Sequence, residues 1–179
     1  MFVLGKGSSP RCDSRMERRF SELVLTYKSD IAKRPAAVNP SSKMATWERS
    51  MINQVFLTLP VADLQKSIAF FKALGFTDDR QFSDDTAARI IINESISVML
   101  GTHEKFRTFT PKAICDTSQA VEVLISLSCD SRDQVDELVA RALAAGGTTY
   151  DQPEDLGFMY SHSFVDLDGH GWGVLHMTS

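Results

Sequence analysis

The chain reads as an α+β protein, tandem βαβββ units forming a curved mixed sheet around a cleft, and three observations predict it. The segment Gln54-Val-Phe-Leu-Thr-Leu-Pro60 alternates its side chains at the period of a strand. Glu122-Val-Leu-Ile-Ser-Leu-Ser128 repeats it position by position, with polar or apolar character kept at almost every step. Each segment is followed by a helical pattern that ends at glycine and then by three short strand signals. Two copies of about 50 residues pair two sheets around a shared cleft more naturally than they stack in a line. A ligand is expected in that cleft.

In the first unit, Val55, Leu57 and Leu59 take one face of the opening strand, and Gln54, Phe56 and Thr58 take the other. Asp63 is placed to cap a helix carrying Leu64, Ile68, Phe71 and Leu74, and Gly75 stands where a left-handed C-terminal residue belongs. Strands are expected over Phe76 to Phe82, Ala87 to Ile92 and Ile96 to Leu100, with Asn93-Glu94-Ser95 as a turn. In the second unit, Asp130 or Ser131 caps a helix with Val135, Leu138, Val139, Ala142 and Leu143 on its apolar face, and Gly146-Gly147 ends it. Strands follow at Thr148 to Tyr150, Met159 to Val165 and Gly171 to Met177, with Asp166-Leu-Asp-Gly169 as a tight turn into the last. The units span about 51–101 and 120–178 within one domain of 51–179, and Thr102 to Gln119 joins them.

Charge divides the 179 residues differently. Residues 1–50 carry ten Lys or Arg against five Asp or Glu, whereas 51–179 carry nine against eighteen. The first segment, with Gly5, Gly7, Pro10, Pro35 and Pro40, reads as a disordered basic N-terminal extension or as upstream translation ahead of Met44 or Met51. Arg11, Arg15, Arg18 and Arg19 make organellar targeting the minor alternative, diluted by Asp13, Glu17 and Glu22. The overall charge of −4 gives no general footing for nucleic acid, and no apolar run approaches the ~18 residues of a membrane-spanning helix. Cys12, Cys115 and Cys129 fit neither a zinc ribbon nor a disulfide framework, which points to reduced thiols and a cytoplasmic location.

The duplicated unit, with Ile52-Asn-Gln-Val opening the first strand, Asp63-Leu-Gln-Lys-Ser-Ile-Ala-Phe-Phe in the first helix and Asp166-Leu-Asp-Gly-His-Gly-Trp172 entering the last strand, resembles the vicinal oxygen chelate superfamily. That superfamily includes glyoxalase I, extradiol dioxygenases, and fosfomycin and bleomycin resistance proteins. Phe109 to Asp116 and Gly157 to Asp166 are similar to a bacterial subgroup described as predicted lactoylglutathione lyases. The resemblance implies a small-molecule ligand, a homodimer, and a divalent metal such as Ni, Zn, Fe or Mn, held by one side chain from the first and fourth strands of each unit. The four positions it assigns here are Gln54, Met99, Glu122 and Gly173. Only Gln54 and Glu122 carry metal-ligating oxygens, and a thioether and a bare glycine are no substitute for carboxylates around a hard cation. A shift by one residue supplies no better ligand, and His103, Glu104, His162 and His176 have no ligand spacing of their own.

Glu122 has two further readings. In an apolar cleft beside Phe56, Met99 and Leu124 without metal, desolvation would raise its pKa and make it a catalytic general base; otherwise it is an exposed residue opening a strand. Substrate contacts are expected from Phe56, Thr58, Met99, Ser126, Tyr160 and His162; Tyr160 and His162 share a face with Phe158 and Phe164 and are assigned to the cleft, the alternative being a place beneath the helix layer. Three classes of function follow: a metal-dependent enzyme resembling a lactoylglutathione lyase or a dioxygenase, a metal-independent binding or sequestering protein of the bleomycin-resistance type, and a degenerate relative with no ligand. One fold serves all three.

Overall fold

The computed structural model describes residues 52–178, and the expectations for residues 1–50 lie outside them. The first unit runs β1 (Val55–Val61), α1 (Leu64–Ala73), β2 (Thr77–Asp79), a 3-10 turn (Arg80–Phe82), β3 (Ala87–Ile91) and β4 (Ile96–Thr102). A short α2 (His103–Arg107) opens the connection, and the second unit runs β5 (Leu124–Ser128), α3 (Arg132–Ala144), β6 (Glu154–Asp155), β7 (Met159–Val165) and β8 (Gly171–Met177). Each unit makes one four-stranded mixed sheet, in the orders β1-β4-β3-β2 and β5-β8-β7-β6. The two sheets have the same plan: the opening strand lies at an edge and pairs in parallel with the last, and the other pairs are antiparallel. A proline within β1 is tolerated because that strand is at the edge.

Helix α1 starts where the Asp63 carboxylate accepts from the Lys66 amide at 3.1 Å. It buries Leu64, Ser67, Phe70 and Phe71, and the chain leaves it through Gly75 at φ 99°. Ser131 caps α3 by accepting from the Gln134 amide, and Gln134 in turn accepts from the Asp130 amide. The two ends of the cap thus satisfy each other's free donors. Val135, Val139 and Ala142 are buried on α3, whereas Leu143, expected on the apolar face, is 41% exposed.

One core joins the units. Phe71 of α1 meets Trp172 of β8 edge-on at 5.4 Å, Phe70 lies 6.2 Å from Phe164 of β7, and Phe164 stacks on Trp172. Full burial of each such ring contributes about 1.5–3 kcal/mol. The helix-covered faces of both sheets therefore share one apolar interior. Their other faces are left open.

Two strands differ from the sequence expectation. The segment 76–82 is extended only to Asp79, because that carboxylate accepts from the Gln81 amide and the Ser83 hydroxyl donates to the Asp79 carbonyl, turning the backbone. Thr148 to Tyr150 makes only an isolated bridge, Thr148 to Val165, and the edge strand of the second sheet forms later at Glu154–Asp155. The turn at 166–169 forms as expected. Asp166 accepts from the amides of Asp168 and His170 and from the Trp172 indole, with Gly169 at φ 87°.

Candidate functional site

Strand alternation fixes which residues reach the open faces. In the first sheet, Ala88, Ile90, Val98 and Leu100 are fully buried beneath α1, so their neighbours Arg89, Ser97 and Met99 point to the opposite side. Phe56 and Thr58 of β1 lie beside Ser97 and Met99 on that side. In the second sheet, Trp172 and Val174 face the core, and Gly171 and Gly173 pair with Leu124 and Ser126 on the open face. The structure thus brings Phe56, Thr58 and Met99 together, with Ser126 beside Gly173 in the matching place of the other unit. A Cβ at Gly173 would come within 3.0 Å of the Ser126 hydroxyl oxygen, so the serine side chain stands over the glycine backbone.

The four positions proposed for a metal are not brought together. Met99 lies opposite Thr58, and Gly173 opposite Ser126. Gln54 is four residues before Thr58, and Glu122 four before Ser126, which is roughly 13 Å along an extended strand. Gln54 is exposed ahead of β1 and donates through Nε2 to the Glu94 carbonyl at 3.0 Å. Across the rows where β1 meets β4 and β5 meets β8, the side chains are phenyl, hydroxyl, thioether, isobutyl and hydrogen. None of them is a carboxylate or an imidazole, so this donor set does not fit a divalent cation. Among the described residues no group of three or more His, Cys, Asp or Glu is arranged to hold one.

Glu122 is engaged elsewhere. Its Oε1 lies 2.5 Å from Nδ1 of His170, whose side chain is only 1% exposed, and Nε2 of the same ring lies 2.8 Å from the Pro60 carbonyl of β1. A carbonyl only accepts, so Nε2 carries a hydrogen, and Nδ1 faces the Glu122 carboxylate as an ion-pair partner rather than through an aligned hydrogen bond. His170 therefore ties the entry of β5 to the end of β1. Beside it, burial pushes the Asp166 carboxyl above the usual range, opposed by the charge of His170 and by the Trp172 hydrogen bond.

Tyr160 and His162 stand on the helix side of β7, in register with His176 and Val174. The Tyr160 hydroxyl donates to Asp136 of α3 at 2.8 Å, which holds the phenol above its ordinary pKa, and Arg132 lies over the ring. Nε2 of His162 is 3.7 Å from Asp151. Of the two placements open for this pair, the structure has the one beneath the helix layer.

Sequence reasoning passed over Arg89. Its side chain is 17% exposed, Nε donates to the Ser97 hydroxyl at 3.1 Å, and Nη1 is 3.3 Å from Asp79 Oδ2. The guanidinium lies 5.2 Å from the Phe56 ring centroid and 5.5 Å from that of Phe82. A cation between the core positions Ala88 and Ile90 was the available signal, since only the open face can take it. Two cavities lie off this face. One of about 510 Å3 is between α1 and the Asp78–Asp85 segment, and one of about 440 Å3 is beside His103, Cys115 and His170.

Two βαβββ units with a shared core and open sheet faces define a class of paired-unit proteins. The chain belongs to the Glyoxalase/Bleomycin resistance protein/Dioxygenase superfamily, whose family model matches residues 52–174. A hypothetical protein, SA1046 from S. aureus, is similar at 33% identity and TM-score 0.62 over 70% of this chain and 95% of that one. A glyoxalase/bleomycin resistance protein/dioxygenase family enzyme from Burkholderia phytofirmans shares the fold at 17% identity and TM-score 0.58, over 69% of this chain and 97% of its own. The fosfomycin resistance protein FosX from Listeria monocytogenes does so at 21% identity and TM-score 0.51, over 69% of this chain and 92% of its own. Among curated proteins none matches the sequence.

Proposed function

We propose that the chain binds a small organic molecule on the open faces of its sheets without a resident metal, as the binding and sequestering members of the superfamily do. The observation that carries this reading is the donor set at the crossing of the strand registers: Phe56, Thr58 and Met99 in one unit, Leu124, Ser126 and Gly173 in the other. Such a surface offers apolar contact and two hydroxyls, the composition of a pocket for an organic ligand. The carboxylate on the same face of the first sheet, Asp79, is paired with Arg89. The reading also takes the cleft to be completed in a homodimer, because Phe56 and Leu124, in the two edge strands, are 50% and 59% exposed in one chain.

The experiment is a calorimetric titration of nickel, zinc, iron(II) and manganese into the metal-stripped chain, paired with thermal-shift screening of organic compounds in chelator. No saturable micromolar metal site, together with chelator-insensitive stabilisation by at least one compound, is the expected result. A metal bound at micromolar affinity or tighter at one site per chain would overturn the reading in favour of a metal-assisted lyase or dioxygenase.

A further inference from the structure

The open face of the first sheet carries one fixed cation, and its chemistry narrows the ligand. We propose that Arg89 anchors the oxyanion head of an organic acid whose apolar body lies over Phe56 and Met99. This rests on the ligand-binding reading above and adds a ligand class to it.

The guanidinium is held as a recognition group. It has five N–H donors in a rigid plane. Among the described residues, the Ser97 hydroxyl takes the Nε hydrogen and Asp79 takes one from Nη1. The Nη2 edge has neither of these partners, and rings of Phe56 and Phe82 lie against the group. A cation fixed in this way has already lost its rotamer entropy, and a carboxylate, sulfonate or phosphonate meeting it gains charge-assisted hydrogen bonds without that cost.

Asp79 does not cancel the site. It reaches Arg89 through one oxygen at 3.3 Å, while its other oxygen accepts from the Gln81 amide at 3.2 Å. It is therefore a monodentate brace, and neither Asp79 nor Ser97 takes the Nη2 hydrogens, which are the donors a ligand oxyanion would meet. Met99 lies directly across from Arg89 in the strand register, with Thr58 across from Met99. Head and body of the ligand are thus received on adjacent strands.

Two fluorescent probes of nearly the same shape test the assignment: 8-anilinonaphthalene-1-sulfonate, and the uncharged N-phenyl-1-naphthylamine. Both are titrated into the full chain and into Arg89→Met, Arg89→Lys and Asp79→Asn, with thermal melts as the check on folding. The expected result is a preference for the sulfonate of about tenfold or more in the parent chain, in line with a charge-assisted pair. Arg89→Met abolishes the preference, so that the two probes bind it with equal affinity. Arg89→Lys keeps part of it, and Asp79→Asn raises sulfonate affinity severalfold. Equal affinity for the two probes in the parent chain, or a preference that survives Arg89→Met, would overturn the anchor and leave ligand binding standing. Should Arg89→Met not fold, an unchanged sulfonate affinity in Asp79→Asn overturns it equally. Failure of the parent chain to bind either probe removes the ligand-binding reading itself, and the anchor with it.

Discussion

Glu122 carries the heaviest expectation in the sequence, as a metal ligand or as a general base, and its neighbour decides what it does. The buried imidazole of His170 faces the Pro60 carbonyl through Nε2 and the Glu122 carboxylate through Nδ1, and the second contact is an ion pair when the ring carries both protons. Substituting Glu122→Gln replaces a carboxylate by an amide that can offer Nδ1 only a neutral partner. The expected cost is about 1–3 kcal/mol, the usual penalty for weakening a charge-assisted buried contact. Urea unfolding of the full chain measures it. A catalytic base would behave in the opposite way, since turnover would be lost while the unfolding midpoint stayed put.

Within single elements, the pattern of side chains predicts faces well and rows poorly. Alternation separates Gln54, Phe56 and Thr58 from Leu57 and Leu59, and the structure keeps that division. What alternation leaves open is the offset between strands, because a slip of two residues preserves every face while moving each row by about 6.6 Å. Only the pairing of Thr58 with Met99, which depends on the distant β4, places the site two rows beyond Phe56's predecessor in the repeat, Gln54. Tyr160 and His162 illustrate the converse, since the sequence groups them with Phe164 and only the packing of α3 tells which side that group faces. Caps and turns were legible because their chemistry is local: Asp63, Ser131, Gly75 and Gly146 stand where the helix ends require them.

The turn at 166–169 is the element with the most to lose. Asp168 accepts from the Ala62 amide through Oδ1 and from the Ser67 hydroxyl through Oδ2, each at 2.7 Å, while its carbonyl accepts from Thr117. One side chain thereby fastens the second unit to the junction of β1 and α1. Asp168→Ala removes both side-chain bonds and leaves the Ala62 amide and Ser67 hydroxyl without this partner. A loss of about 2–4 kcal/mol is expected, from two bonds at roughly 1–2 kcal/mol each. Asp85→Ala, in the exposed segment before β3, is the matched control and should stay within about 0.5 kcal/mol of the parent chain. Thermal melts that place both variants at the parent midpoint would mean that the shared aromatic core alone holds the units together.

At the scale of the whole molecule, the two sheets end in edges of the same character. Val55 and Phe56 of β1 are 49% and 50% exposed, and Val123 and Leu124 at the start of β5 are 41% and 59% exposed. Both strands pair on one side only, and an apolar edge with unpaired backbone donors and acceptors invites another strand. A two-fold pairing in which β1 of each copy meets β5 of the other satisfies both of these edges at once and leaves the short strands β2 and β6 as the outer edges. It would also place the open face that carries Arg89 beside the open face that carries Ser126 of the second copy, so that a ligand is enclosed only in the dimer. The full chain is therefore expected to sediment at twice its own mass, and Leu124→Lys, which sets a charge on that edge without touching the core, at the mass of one chain. Its unfolding should remain cooperative, while affinity for the organic probes falls along with the dimer. A parent chain that sediments as a monomer, or a Leu124→Lys chain that remains dimeric, would assign the apolar edges to another role and leave each open face to bind its ligand alone.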